Sequence, residues 1–148
     1  MIRHADPADR GAVESIVNEA YAVYIDRIGK PPGPMLDDYG ALINAGAVHV
    51  LEPDGRNIAA VVVLLEKPDH LLLDNIAARR DRQGQGLGRK LIAFAEEEAR
   101  RRGFGEIRLY THVTMVENIA LYTRLGFVET GRGRDGGYER VFMVKSLG

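Results

Sequence analysis

The chain of 148 residues contains no cysteine and no tryptophan, and its only serines are Ser15 and Ser146. Without cysteine there is no disulfide, no thiolate nucleophile, no iron–sulfur cluster and no cysteine-based zinc site. Ser15 falls within a helical pattern and Ser146 stands near the last residue, so neither suits a covalent nucleophile. An enzyme built on this chain draws its nucleophile from a substrate or from water. Charge of one sign is also missing. Lys and Arg number 20 against 21 Asp and Glu, net −1, so no global field favours nucleic acid or a membrane surface. No apolar run approaches the ~18–20 residues of a membrane span. The first ten residues, MIRHADPADR, lack the apolar stretch of a signal peptide, so a cytoplasmic protein is expected. His4, His49, His70 and His112 share no metal-ligand spacing, and no metal is expected.

What is present fits one α/β domain over residues 1–148, since 45% hydrophobic residues suffice for a core at this length. Met1–Ala5 reads as a strand. Asp6-Pro7 then supplies an N-cap and a first-turn proline, followed by Val13, Ile16, Val17, Ala20, Tyr21 and Tyr24 at helical spacing. The Pro/Gly cluster from Gly29 to Pro34 makes a loop, and a second helix is expected from Met35 to Ala45. Strands are expected at Ala47–Glu52 and Ile58–Glu66, joined through Pro53-Asp54-Gly55, and at Leu71–Ala78. Leu87 to Arg102 is a strong helix, with Leu91, Phe94, Ala95 and Ala99 as its stripe. Glu96/Arg100, Glu97/Arg101 and Glu98/Arg102 are its i,i+4 pairs. A strand at Glu106–Thr111, a helix near Asn118–Leu125 and a hairpin of Phe127–Thr130 with Tyr138–Lys145 complete the order β-α-α-β-β-β-α-β-α-β-β. The expectation is a mixed central sheet of six to seven strands flanked by about four helices.

Between the apolar strand and the long helix, residues 79–90 carry five basic side chains against Asp81 alone. Gly84, Gly86 and Gly88 alternate at the helix start, where bare N–H groups and the helix dipole suit a pyrophosphate. A flexible turn with a solvated basic face is the competing reading. A dinucleotide loop would need glycine where Arg89 stands, and the sole Gly-Lys pair, Gly29-Lys30, runs into Pro31 rather than Ser or Thr. What does match is Gln/Arg-x-x-Gly-x-Gly/Ala, as Gln83-Gly84-Gln85-Gly86-Leu87-Gly88.

In these residues Leu71–Arg102 resembles motif A of the GNAT N-acetyltransferase superfamily. Asn118-Ile119-Ala120-Leu121-Tyr122-Thr123-Arg124-Leu125-Gly126-Phe127 resembles its motif B. The likeness covers roughly residues 71–130, and two ordered blocks separated by a strand are a specific signal. It implies a single GNAT-like domain that takes acetyl-CoA, or another acyl-CoA, as donor. By match to motif A, the amides of Gln83, Gly84, Gln85, Gly86, Leu87, Gly88 and Arg89 wrap the pyrophosphate, and backbone groups of Ile76 and Ala78 pair with the pantetheine arm. Asn118 matches a residue that bonds the pantetheine, and Tyr122 the tyrosine that protonates the departing thiolate. The family often carries Val then Pro after this strand, whereas Ala78, Arg79 and Arg80 stand here, a departure bearing on loop rigidity rather than on backbone contacts.

The resemblance further implies direct transfer from thioester to amine, which agrees with the missing Ser and Cys nucleophiles. An alkylammonium, with a pKa of about 10, must shed a proton first. Strand alternation puts Leu72, Asp74 and Ile76 on one face, and in the family the residues two and four before Ile76 often supply the base or hold a water; only Asp74 of those two titrates. Asp74 is alternatively a buried carboxylate bonded to backbone or to an arginine, and Tyr122 a helix core residue in register with Ile119 and Leu125. Tyr21, Tyr24 and the Arg27–Pro34 loop occupy the family's acceptor wall, and His112 ends the fifth strand near where an acceptor enters. The leading expectation is an N-acetyltransferase acting on a small-molecule amine. A protein Lys or N-terminal acetyltransferase and a non-catalytic acyl-CoA-binding module are the alternatives. Members of the family are often homodimers.

Overall fold

The computed structural model describes residues 1–55 and 57–148. Strand β1 (Ile2–His4) leads into a capping box in which Asp6 accepts from Ala8 and Asp9 reaches back to the Asp6 N–H, with Pro7 opening the turn. Helix α1 (Arg10–Tyr21) follows and buries Val13, Ile16, Val17 and Tyr21, the face that the spacing predicts. A short 3-10 turn and α2 (Ile25–Ile28) carry the chain to Gly29, whose φ of +88° closes the helix.

The helix expected over Met35–Ala45 is shorter. Gly33–Leu36 forms a 3-10 turn, Asp37 is extended, and α3 (Tyr39–Asn44) begins only after Asp38, whose side chain accepts from the Ala41 N–H at 3.1 Å. Two adjacent aspartates favour capping over helix interior, and the helix restarts at the second of them.

Strands β2 (Val48–Leu51), β3 (Ala60–Glu66), β4 (Leu71–Ala78), β5 (Glu106–His112), β6 (Val128–Asp135) and β7 (Tyr138–Ser146) complete one sheet of order β1-β2-β3-β4-β5-β7-β6. Every neighbouring pair is antiparallel except β4 and β5. Helices α4 (Leu87–Arg101) and α5 (Val116–Arg124) frame this parallel junction. On one side of the sheet Leu91, Ile92, Ala95 and Ala99 of α4 pack on Leu71, Leu73, Ile107 and Phe127. On the other, Val13 and Val17 of α1 and Tyr39 and Ile43 of α3 pack on Val48, Val61 and Val63. Each fully buried aliphatic side chain contributes about 1.5–3 kcal/mol, and the sheet is held between these two layers.

On α4 the ion pairs differ from simple i,i+4 spacing. Glu98 meets Arg102 at 2.9 Å as expected, but Arg101 turns to Glu98 at 2.7 Å and Arg100 to Glu97 at 2.9 Å, so Glu97 and Arg101 do not pair. Glu98 is buried enough to gather both arginines, which hold its carboxyl down to about 2. In β2, His49 is only 2% exposed and neither ring nitrogen has a partner. Its ring sits 4.4 Å from that of His4 and 4.9 Å from that of Phe94, filling the core as an apolar disc would. Among the described residues, no helix is long and apolar enough to cross a membrane.

Candidate active site

The site begins where the sheet comes apart. β4 and β5 are paired only at Leu71 with Ile107 and Leu72 with Arg108, and beyond these residues the strands diverge. The bend is built into β4. Val62 lies opposite Ile76 and Val63 opposite Asn75, yet the next residue of β3, Leu64, faces Leu73, leaving Asp74 as an extra residue without a partner. Leu71 and Leu73 enter the α4 layer, and so do Ile76 and Ala78, whereas Ala77 faces the α1 layer. Leu72 stands opposite Leu65, which packs on the α1 layer. The alternation expected for Leu72, Asp74 and Ile76 is thus broken: the bulge puts Leu72 and Ile76 on opposite faces and aims Asp74 separately.

Past the open end of β4 the backbone forms the glycine loop. Gly84 and Gly86 have φ of +84° and +76°, conformations that an L side chain enters only with strain. No atom would lie within 4 Å of a Cβ at either, so glycine serves the backbone turn and leaves an open concavity. Gln83 donates its side-chain amide to the Ala78 carbonyl at 3.3 Å, folding the loop back on the strand end. Gln83, Gly84, Gln85, Gly86 and Arg89 are exposed, while Leu87 is 5% exposed and anchors the first turn of α4. At Gly88 a Cβ would sit in ordinary contact with Leu121 of α5 at 3.8 Å. The first N–H groups of a helix have no intrahelical partners, and here they open onto the loop. Unshielded amides, a helix dipole and five basic residues make a cradle that fits a pyrophosphate.

A cavity of about 140 Å³ lies in the cleft between the diverging strands. Tyr122 and Asn118 of α5, Tyr21 of α1, Asp74 of β4 and His112 at the end of β5 all line it, so five residues singled out from sequence converge there. Tyr122 is 5% exposed, its ring edge-on to Phe127 at 5.8 Å, and burial raises its hydroxyl pKa. A phenol kept protonated is a proton donor. Tyr21 spends its hydroxyl on the Ile76 carbonyl at 2.9 Å, which fixes the peptide next to the bulge. His112 accepts at Nδ1 from the Thr114 N–H at 3.2 Å, which leaves its ring proton on Nε2; burial holds its pKa down. Asn118 directs its amide to the Met115 sulfur at 3.8 Å. Tyr24 lies outside the cavity wall, under the Arg27 guanidinium at 5.1 Å.

Four further polar residues of the lining were not singled out from sequence: Asp37, Tyr110, Tyr138 and Arg140. Tyr110 donates to Asp74 Oδ1 at 3.4 Å. Asp37 lies within hydrogen-bond reach of Asp74, and burial followed by the Asp74 charge pushes its carboxyl up to about 6. Burial also raises Asp74, against the hydrogen bonds from Tyr110 and Asp37. Arg140 stacks over the Tyr110 ring at 4.0 Å. Above the cavity, the loop after α2 is tied to the β6–β7 hairpin. Tyr138 donates to the Pro31 carbonyl at 2.6 Å, and Lys30 donates to the Gly137 carbonyl at 2.8 Å while lying over the Tyr138 ring at 4.2 Å. Arg27 pairs with Glu117 through both nitrogens at 2.7 and 2.8 Å, joining that segment to α5. The signal for Tyr138 and Arg140 was the hairpin itself, whose tip carries aromatic and basic residues among glycines.

Comparison with known proteins identifies the family and the fold. Residues 13–127 match the model of the acetyltransferase (GNAT) family. The [ribosomal protein bS18]-alanine N-acetyltransferase of Escherichia coli (strain K12) is 38% identical over 72 residues, 49% of this chain and 49% of that protein. Its crystal structure superposes with a TM-score of 0.76 at 26% identity, covering 99% of this chain and 93% of that one. An uncharacterized N-acetyltransferase, YvbK, of Bacillus subtilis (strain 168) is 32% identical over 74 residues, 49% of this chain and 48% of that protein. The PaiA N-acetyltransferase of Thermoplasma acidophilum, crystallised with coenzyme A, shares the fold with a TM-score of 0.82 at 16% identity over 99% of this chain and 98% of that one. The matched stretches thus span about half the length of these two curated relatives. The chain belongs to the GNAT acetyltransferase family.

Proposed function

We propose that this member of the GNAT family transfers an acetyl group from acetyl-CoA directly to the nitrogen of a small primary amine. The observation that carries the reading is the roofed cavity, which gathers Asp74 and Tyr122 beside the open end of β4. Bound acetyl-CoA supplies the activated acetyl thioester. The amides from Gln83 to Arg89 hold its pyrophosphate, and the β4 edge at Ile76 and Ala78 receives the pantetheine arm, with Asn118 beside it. Tyr21 leaves one lone pair of the Ile76 carbonyl for that arm and fixes the peptide's orientation.

Asp74 takes the first proton from the incoming ammonium, freeing the nitrogen lone pair to attack the thioester carbonyl. The β4 edge near Ile76 offers an N–H to the developing oxyanion. Tyr122 holds the proton that the leaving sulfur needs. The transfer forms one C–N bond and breaks one C–S bond. The nitrogen loses two protons, of which one ends on the thiol and one in solvent.

The roof argues for a small acceptor. A protein N-terminus, the acceptor in the named function of the Escherichia coli relative, needs an open groove between the α2–α3 segment and the β6–β7 hairpin. Here two hydrogen bonds and a cation–π contact cross that space. The test is free-thiol release from acetyl-CoA with a panel of small amines and with alanine-ended peptides. Turnover of small amines above peptides is expected. Acetyl-CoA binding without turnover of any acceptor would favour a binding module, and peptide turnover alone a protein acetyltransferase.

A further inference from the structure

One carboxyl group of the cavity, Asp37, has no part in that scheme, although it lies against the group that does. The surroundings of the two acids are charged unequally. Asp74 receives the Tyr110 hydroxyl, with Lys67 and Arg140 acting on it from a distance. Asp37 feels Asp74 and, more weakly, Arg140, and it acts in turn on Tyr39 and Tyr110. The basic residues nearest the cavity are committed to the hairpin. Arg140 donates Nε to the Asp135 carbonyl at 3.3 Å, lies 3.7 Å from its carboxylate and stacks on Tyr110. Lys30 is held by the Gly137 carbonyl and the Tyr138 ring. Two carboxyls thus face the cavity against one guanidinium that is tied to the hairpin through Nε, and Ile28, Pro32 and Pro34 give the lining an apolar part.

We propose that Asp37 and Asp74 act as one proton-sharing carboxyl pair that receives the acceptor as its ammonium, so the acceptor is a small monoamine with an apolar tail and no acid group. The proposal rests on the transferase reading and deepens it. Two neighbouring carboxyls ionise together only at a cost, and a shared proton or an arriving ammonium removes it. The same repulsion makes the pair a better base. A proton passing from an alkylammonium to a carboxyl raised above its ordinary range climbs less far than it would to an ordinary carboxylate. An acceptor with its own carboxylate brings a further anion to the pair, while Lys30 and the Nε of Arg140 are already held by the hairpin.

Matched acceptors test this on the intact protein: 2-phenylethylamine against phenylalanine, and tyramine against tyrosine, each read by thiol release. The amines are expected to exceed the amino acids in kcat/KM by about tenfold or more. Asp37→Asn is expected to raise KM for the amine by about tenfold and to leave acetyl-CoA affinity unchanged. It should also move the acidic limb of the pH profile to lower pH, because the pair's second ionisation, carried by Asp37 and raised by burial and the Asp74 charge, is removed. Asp37→Glu should restore part of the limb. Amino acids turned over as well as amines, or an unmoved limb in a folded Asp37→Asn protein, overturns the pair. Acetyl-CoA binding with no turnover in either series overturns the transferase reading beneath it.

Discussion

Lowering the pH from 7.5 to 5 is expected to destabilise the fold by about 2 kcal/mol through His49 alone. This imidazole is 2% exposed, has no partner at either nitrogen and lies between the rings of His4 and Phe94. Burial, with a smaller contribution from His4, holds its pKa down to about 4 from 6.5. Between those values the unfolded chain takes up a proton that the native state refuses. The sign follows: the penalty is absent above the unfolded value near 6.5, grows as pH falls towards 4, and is constant below. A separation of about 2.5 pH units at about 1.36 kcal/mol each makes the full loss about 3 kcal/mol, of which about 2 has appeared by pH 5. Urea unfolding of the wild type and of His49→Phe, from pH 7.5 to 4.5, isolates the effect, since carboxylate titrations common to both cancel in the difference. Any steric offset from the larger ring is independent of pH and cancels as well. The variant should gain about 2.5 kcal/mol on the wild type over this range. Parallel pH dependences in the two proteins would refute a native His49 that stays neutral.

Tyr122→Phe should lower kcat about tenfold or more with acetyl-CoA affinity unchanged, because the ring keeps its contact with Phe127 while the proton is lost; a full kcat in thiol-release kinetics would remove Tyr122 from the mechanism. Gly86→Ala should cost about 1–2 kcal/mol of stability from its φ of +76° rather than from any clash, and should weaken acetyl-CoA binding by calorimetry. Unaltered affinity would separate the glycine loop from the donor. Tyr138→Phe deletes the 2.6 Å bond to Pro31, and the loosened roof should raise KM for the amine while KM for acetyl-CoA stays constant. A change confined to acetyl-CoA would place the hairpin on the wrong side of the reaction.

The glycine loop and the helix after β5 were legible in sequence because they are encoded locally. Gln83 to Gly88 is a turn whose glycines announce themselves, and Asn118 to Phe127 is a contiguous block. The bulge was not legible. Leu71 to Ala78 is apolar towards both layers, so no alternation existed from which an extra residue could be noticed, and only the pairing with β3 reveals Asp74 as unpartnered. Asp37 was hidden by a different mechanism. Read as part of one helix from Met35, it has no special position; the Asp38 cap starts α3 two residues after the 3-10 turn and leaves Asp37 extended towards the cavity. Tyr110 and Arg140 meet across the β5–β7 register, a contact between residues 30 apart that no local pattern reports. The Glu97/Arg101 pairing failed because Glu98, buried where Glu97 is exposed, competes more strongly for Arg101.

The gap between β4 and β5 has a thermodynamic side. The sheet is two rafts, β1 to β4 and β5 with β7 and β6, joined by two residue pairs and the helices that span them. In the proposed reading, a donor lying along β4 fills the missing rungs and adds a tie between the two rafts. Saturation with it at a hundredfold excess over Kd adds about 2.7 kcal/mol to the folded state. Thermal melting then counts donor occupancy directly, and a molecule that fills the glycine cradle without bridging the gap should protect amides of the loop from hydrogen exchange while leaving those at the edge of β4 unprotected.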